Sequence, residues 1–286
     1  YQERYMPGST FKVITAGIGL ESGVLTRETN FPRERQYVPP QTNDPINNYN
    51  GSQCGGDMAE VFRRSCNIPF AKTAIELGVD RFVAGTKNWG IDEQLPIDLP
   101  RAATSTIGNV ENLDKALPLL AIRGFGQSEV QMVPLHMAMV AGAVANGGQM
   151  MSPYVVDATF DQAGRELDRT SPSLWKTPIS PATAALETEF MTGVVQSGTA
   201  SCCMTLDGGI QAAAKTGTAE LGLDSNPDLS HAWIIAFAPA ENPRFAISVV
   251  LTNVQSTQDV SATGGRLAGP IAKDMLDFLL TGQGAI

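Results

Sequence analysis

Tyr5-Met6-Pro7-Gly8-Ser9-Thr10-Phe11-Lys12 is the stretch whose reading sets the fold, and it begins with a chain break at Pro7-Gly8. Ser9 is a residue type favoured at helix N-caps, and Phe11, Ile14 and Ile18 then recur at helical spacing before Gly23. The pattern predicts a helix over residues 9–21 with one buried face. Gly17 and Gly19 lower its intrinsic stability, so tertiary packing must hold it. Positions i and i+3 share a face at the first turn, which puts the Lys12 amine within expected reach of the Ser9 hydroxyl. The helix N-terminus adds unpaired N–H groups and a positive dipole end, suited to a developing oxyanion. A serine is a poor nucleophile until a neighbour takes its proton, and a lysine can do so only when neutral. That requires its pKa to fall from about 10.4 toward roughly 7–8, at a cost of about 4 kcal/mol. Burial and a second cation both push that way, and Lys215 is the candidate for that cation.

Working outward, residues 27–56 are rich in Pro, Asn, Gln and Gly and read as an irregular excursion. A helix is expected over 57–65, where Asp57 and Glu60 form a capping-box pattern. Pro69 opens another helix that closes at Gly78, and residues 80–89 form a third. Residues 124–127 read as a loop, 134–145 as a helix ended by Asn146-Gly147-Gly148, and 151–160 as a strand. Ser180-Pro181 starts a long helix reaching about residue 196. After Gly198 the pattern changes to three strands, over 210–218, 232–238 and 244–254, and a closing helix over 265–280. The expected class is α/β of the α+β type. Residues 1–22 and 198–286 would form a sheet subdomain, and 23–197 a mostly helical one.

Composition narrows the function classes. The 286 residues are 43% hydrophobic and 17% charged, which is ordinary for a globular protein. A net charge of −9 leaves no basic stripe for nucleic acid. No apolar run is long enough to span a bilayer, and no signal segment opens the chain. It begins at Tyr1 rather than Met, so it reads as a piece of something longer. There is no CxxC pair, and His136 and His231 stand far apart, so no metal or cofactor is expected. The histidines read as core or surface residues. Cys54, Cys66, Cys202 and Cys203 are either reduced core thiols or, in an oxidising compartment, disulfides. Cys54 and Cys66 flank one short helix and are expected to be close, with a bridge between them. Pairing either with Cys202 or Cys203 stays open, since four cysteines allow three full connectivities.

Three short strings carry the chemistry: Ser9-Thr10-Phe11-Lys12, Ser65-Cys66-Asn67, and Lys215-Thr216-Gly217 followed by Thr218. Singly each is weak, and S-x-x-K recurs at Ser173–Lys176 between Pro172 and Pro178, where no helix would hold the pair together. In order along one chain, S-x-x-K, S-x-N and K-T-G are a combination shared by penicillin-binding proteins and β-lactamases. Over nearly its whole length the sequence resembles the transpeptidase domain of class B penicillin-binding proteins. Further matching pieces are Gly126-Gln127, Asn146-Gly147-Gly148 with Ser152-Pro153, Gly198-Thr199-Ala200, the segment from His231 to Pro239, and Ala268-Gly269-Pro270. Within the class it looks most like the actinobacterial penicillin-binding protein A type.

The resemblance implies an antiparallel sheet flanked by helices and a serine D,D-transpeptidase with a D,D-carboxypeptidase side activity. It implies that Ser9 attacks the penultimate D-alanine carbonyl of a peptidoglycan stem peptide, with Lys12 as base. Ser65 would relay a proton to the leaving amine, and Asn67 would bind the substrate backbone. Lys215, Thr216 and Thr218, with Gly217 between them, would hold the terminal carboxylate, and the N–H groups of Ser9 and Thr218 would form the oxyanion hole. β-Lactams would acylate Ser9. Implied partners are stem peptides and cell-wall synthesis or division proteins, on the extracytoplasmic face of a bacterial membrane. Attachment would come only through an N-terminal anchor outside this sequence. Few residues precede Ser9, so upstream sheet strands and a dimerisation domain are also expected to be missing. Cysteines in and near the S-x-N string depart from the family pattern. The alternatives are a class D β-lactamase, which usually has Ser-x-Val in place of Ser65-Cys66-Asn67, or a β-lactam sensor domain. A class A β-lactamase would need a Glu-x-x-x-Asn segment, and none lies between Ser65 and Lys215.

Overall fold

The computed structural model describes residues 1–221, 229–256 and 261–282. The Ser9 motif forms a 3-10 turn over Gly8–Phe11 that runs directly into helix α1 (Lys12–Glu21). Ser9 is therefore not the cap that its position suggests. Pro7 stands at that position, and Thr10 Oγ1 donates to Pro7 O at 2.9 Å. The tighter turn raises Ser9 at the head of α1 and frees its side chain from any capping bond.

The excursion before the second helix is less irregular than its composition suggests. It contains β1 (Asn30–Glu34), β2 (Gln36–Tyr37), β3 (Ile46–Asn47) and β4 (Cys54–Asp57), paired antiparallel as β1–β4 and β2–β3. Helix α2 (Met58–Arg63) is capped by Asp57, which accepts the Glu60 N–H at 2.7 Å. Glu60 does not complete the box, because its carboxylate pairs with Arg33 and Arg64. Helix α3 (Ile68–Asn88) holds the two segments read from Pro69 and Asp80, broken at Gly78 with φ 72° and ψ 167°. A short α4 (Leu117–Arg123) had no sequence signal, and α5 (Pro134–Ala145) lies where expected.

The strand expected over 151–160 is instead two short pieces with different partners. β5 (Met150–Met151) pairs with β8 (Leu174–Lys176), and β6 (Ala158–Phe160) pairs with β7 (Glu166–Arg169). The second S-x-x-K copy ends in β8, where Lys176 Nζ donates to Glu93 at 2.7 Å. Helix α6 (Pro181–Ser197) starts at Ser180, whose Oγ accepts the Thr183 N–H at 3.3 Å.

The main sheet is antiparallel in the order β11-β10-β9, from β9 (Ala213–Glu220), β10 (Leu229–Ala238) and β11 (Phe245–Gln255). Closing helix α7 (Gly264–Thr281) and helix α5 both pack on β10 and β11, and α6 packs on β9. Residues of β10 from Ser230 to Ala238 are all buried, as a central strand covered on both faces requires. Two glycines bring the Ser9 turn onto β9. Gly8 has φ 53°, and a Cβ there would lie 2.5 Å from Thr218 O. A Cβ on Gly217 would lie 2.6 Å from Pro7 O. Any larger side chain at either place would push the two motifs apart.

Candidate active site

The three motifs meet at one cleft of about 720 Å³, lined by Ser9, Ser65, Asn67, Thr216, Gly217 and Thr218 among others. Ser9 is half-buried at the head of α1, and among the described residues its hydroxyl makes no hydrogen bond. Lys12, one turn on, is fully buried. Its amine does not reach back to Ser9 as the spacing suggests. Nζ donates instead to Ser65 O at 2.7 Å, Ser65 Oγ at 3.3 Å and Asn67 Oδ1 at 2.8 Å. Lys215 is equally buried, and its Nζ donates to Ser65 Oγ at 2.8 Å and Thr216 O at 2.9 Å. One serine hydroxyl thus stands between two buried amines.

Neither amine has a carboxylate partner among the described residues. Phe70 and Phe125 lie near Lys12 Nζ, with ring centres 5.5 and 6.0 Å away, and Phe62 lies 5.8 Å from Lys215 Nζ. These rings exclude water and give back only part of the lost solvation. Burial, and then repulsion from Lys215, hold Lys12 well below the usual lysine range. Burial alone brings Lys215 down to about 7.

Ser65 is held with φ 59°, an uncommon backbone for a residue with a side chain. The disulfide between Cys54 and Cys66, with Cα atoms 5.7 Å apart, ties this string to β4. Cys202 and Cys203 are bonded to each other, which selects one of the three connectivities. Asn67 is fixed from both sides, since its Nδ2 donates to Asn47 O at 3.0 Å while Oδ1 accepts from Lys12. Asn48 is the support that sequence reasoning missed. Its buried Oδ1 accepts from the N–H groups of Asn67 and Ile68, and its Nδ2 donates to Glu34 O.

On β9, Thr216 and Thr218 share a face by the period of a strand. Thr199 Oγ1 lies 2.5 Å from Thr216 Oγ1 and fixes that hydroxyl, a second contact without a sequence signal beyond the matching Gly198-Thr199-Ala200 piece. Among the described residues β9 pairs only with β10, so its other edge faces the cleft. Gln127 Nε2 donates to Thr218 O at 3.5 Å, and the Gly8 turn crowds the same oxygen. That carbonyl therefore points away from β10, and in an antiparallel strand the N–H of the same residue points with it. The Ser9 N–H lies in a first turn, where no intrahelical acceptor exists. Both residues line the cleft.

The histidines lie elsewhere. His136 is buried between Ser105 Oγ and Trp89 O, and burial lowers it to about 4. His231 is also buried and accepts the Asn253 N–H at 3.2 Å.

Residues 1–277 match the family model described as the penicillin binding protein transpeptidase domain. The chain is 35% identical to the peptidoglycan D,D-transpeptidase PbpA of Mycolicibacterium smegmatis over 95% of its own length and 54% of that protein. It is also 35% identical to PbpA of Mycobacterium tuberculosis over 98% of its length and 56% of that protein. It thus spans about half the length of these curated relatives. Among solved structures, it superposes on the ceftriaxone acyl-enzyme complex of penicillin-binding protein A from M. tuberculosis with a TM-score of 0.87. That match has 32% identity and covers 98% of this chain and 61% of that one. With the motifs in one cleft and the match extending over almost every residue, this chain belongs to the penicillin-binding protein transpeptidase domain family.

Proposed function

We propose that this chain is a D,D-transpeptidase that cross-links peptidoglycan stem peptides through an acyl-enzyme on Ser9 and is acylated there by β-lactams. The observation that carries it is the pair of buried lysines sharing Ser65 Oγ beside the Ser9 turn. The 35% identity to two enzymes named peptidoglycan D,D-transpeptidase supports the substrate class.

Ser9 Oγ attacks the carbonyl carbon of the penultimate D-alanine, and neutral Lys12 takes its proton directly or through Ser65. The Thr218 and Ser9 N–H groups face the position where negative charge develops on the carbonyl oxygen, each worth roughly 3–4 kcal/mol in the transition state. The C–N bond to the terminal D-alanine breaks as Ser65 delivers a proton to the leaving nitrogen, and Lys12 re-protonates Ser65. Lys215 in its charged form, with Thr216 and Thr218, holds the terminal carboxylate. The open edge of β9 and the Asn67 amide align the peptide backbone, as in strand addition. An acceptor amine from a second stem peptide then attacks the ester on Ser9 and restores the enzyme. Water in that place gives a carboxypeptidase side reaction. Ser65 and Asn67 occupy the hydrogen bonds of Lys12, which leaves its amine engaged rather than free to be carboxylated as a hydrolytic base.

Residues 1–22 with 198–286 form the sheet-bearing part in this reading, and 23–197 the helical part. The chemistry belongs on the extracytoplasmic face of a bacterial membrane, beside cell-wall synthesis and division proteins, and the disulfides suit such a compartment. Among the described residues no helix is long and apolar enough to cross a membrane.

Benzylpenicillin followed by digestion and peptide mass mapping tests the assignment. One full-mass adduct is expected on Ser9, and none in Ser9→Ala. An adduct on Ser173, or one that survives Ser9→Ala, would contradict it.

A further inference from the structure

The two disulfides have opposite settings. Cys54 and Cys66 are buried, and their bond closes a loop across a sequence separation of 12. Cys202 is exposed and lines the catalytic cleft, while Cys203 is half-buried with its Cβ against α7 at Gly269. A bond between adjacent residues closes the smallest loop a chain can make, so it constrains the unfolded chain least. An exposed bond of this kind is the one most open to thiol exchange. Its place gives exchange a consequence. Thr199, three residues before Cys202 in the same turn after α6, fixes the Thr216 hydroxyl at 2.5 Å. Arg266 lines the same wall, exposed and without an ion-pair partner among the described residues, and favours the approach of an anion.

We propose that Cys202–Cys203 is a thiol-modification site on the rim of the cleft, opened by carboxylate-bearing low-molecular-weight thiols and carrying one of them as a mixed disulfide on Cys202. The incoming thiolate attacks Sγ of Cys202, the more exposed of the two residues. The Cys202–Cys203 bond breaks as the new S–S bond forms, and Cys203 leaves as a thiolate that takes a proton from solvent. This step is an exchange without net oxidation. A second thiol attacking the mixed disulfide gives the dithiol and the thiol's own disulfide, so the two electrons come from the thiol pair. The adduct on Cys202 projects beside Thr216 and obstructs entry of an acylating substrate. Only this last effect rests on the acylation of Ser9 proposed above.

The test uses the whole chain in mixtures of glutathione and glutathione disulfide, quenched with acid and mapped by mass. Cys202–Cys203 is expected to open at glutathione levels that leave Cys54–Cys66 intact, with the adduct on Cys202. Cys203→Ser leaves one exposed thiol and gives a cleaner form. It is expected to take one glutathione from glutathione disulfide, to lose about tenfold or more in benzylpenicillin acylation rate, and to regain its own starting rate when dithiothreitol removes the adduct. Opening of Cys54–Cys66 first, an adduct on Cys203, or an adducted Cys203→Ser that acylates at its unmodified rate would each overturn the proposal. The mapping needs no acylation. Failure of Ser9 to react in thiol-free buffer would therefore count against the proposed function and leave the thiol chemistry readable.

Discussion

Ser65 Oγ lies 3.3 Å from Lys12 Nζ and 2.8 Å from Lys215 Nζ, so two buried amines bear on one hydroxyl, with no carboxylate among the described residues to balance them. Their protons come off in two steps that belong to the pair. Burial and repulsion from Lys215 lower Lys12, and burial lowers Lys215 to about 7. In the proposed mechanism the active form has Lys12 neutral, as base, and Lys215 charged, holding the carboxylate. The second-order rate of acylation by benzylpenicillin should therefore be bell-shaped in pH, with an alkaline limb near 7 set by the free enzyme. Lys215→Met should remove that limb and lower the rate by about 100-fold or more. Stopped-flow fluorescence across pH 5 to 9 checks this, and a flat profile in the parent protein would rule it out. The motif residues were legible because each string is contiguous in sequence. Asn48 and Thr199 were not, since each gains its role only when a distant motif is packed against it.

At the scale of elements, α1 is held where its sequence looked weakest. A Cβ on Gly17 would lie 2.9 Å from the Trp89 ring and 3.3 Å from Glu187 Oε1, so the glycine admits α6 and Trp89 close to α1. Glu187 is fully buried, and neither of its oxygens has a hydrogen-bond partner among the described residues. The Gly17 N–H approaches the carboxyl without reaching hydrogen-bond geometry. Burial, and then the charge of Glu21, raise Glu187 well above the usual carboxylate range. The folded state then binds a proton that the unfolded state has lost. Stability from this group is full below the unfolded value of about 4.3 and falls as pH rises through the folded one. Glu187→Gln should flatten that decline, read as urea midpoints at a series of pH values. Equal slopes in parent and variant would show that Glu187 is not the group responsible. Elements with clear punctuation were legible: α5 between Pro134 and Asn146-Gly147, α6 after Ser180-Pro181, and the three strands after Gly198. Of the small strands β1 to β8 only part of β5 and all of β6 fell within an expected strand, over 151–160, because two- to five-residue pairs bury too little to impose alternation. The Ser9 turn misled for a different reason. Its residue types suit a cap, but close packing on β9 tightens the first turn into a 3-10 form.

Across the whole molecule, the cleft depends on segments far apart in sequence meeting at fixed distances, and the Cys54–Cys66 bond is one tie that keeps Ser65 and Asn67 in place. Closing a loop of this size is worth about 3 kcal/mol against the unfolded chain. The double variant Cys54→Ser/Cys66→Ser should lose about that much in urea unfolding, and its acylation rate should fall as the Ser65 backbone relaxes from its left-handed conformation. A variant with unchanged stability and rate would show the bond to be incidental. Membership of the transpeptidase family leaves one chemical question above the others, because hydrolases built on the same three motifs acylate by the same route. Hydrolysis needs a base within about 3 Å of a water held against the ester carbonyl. Ser65 and Asn67 instead occupy the hydrogen bonds of Lys12. The decisive measurement is the intact mass of the protein at intervals after mixing with one equivalent of benzylpenicillin. The expected result is a single adduct that forms within the mixing period and persists for many minutes to hours. Return of the free protein with a turnover of about one per second, an ordinary rate for an enzyme, would contradict a transpeptidase and identify a hydrolase.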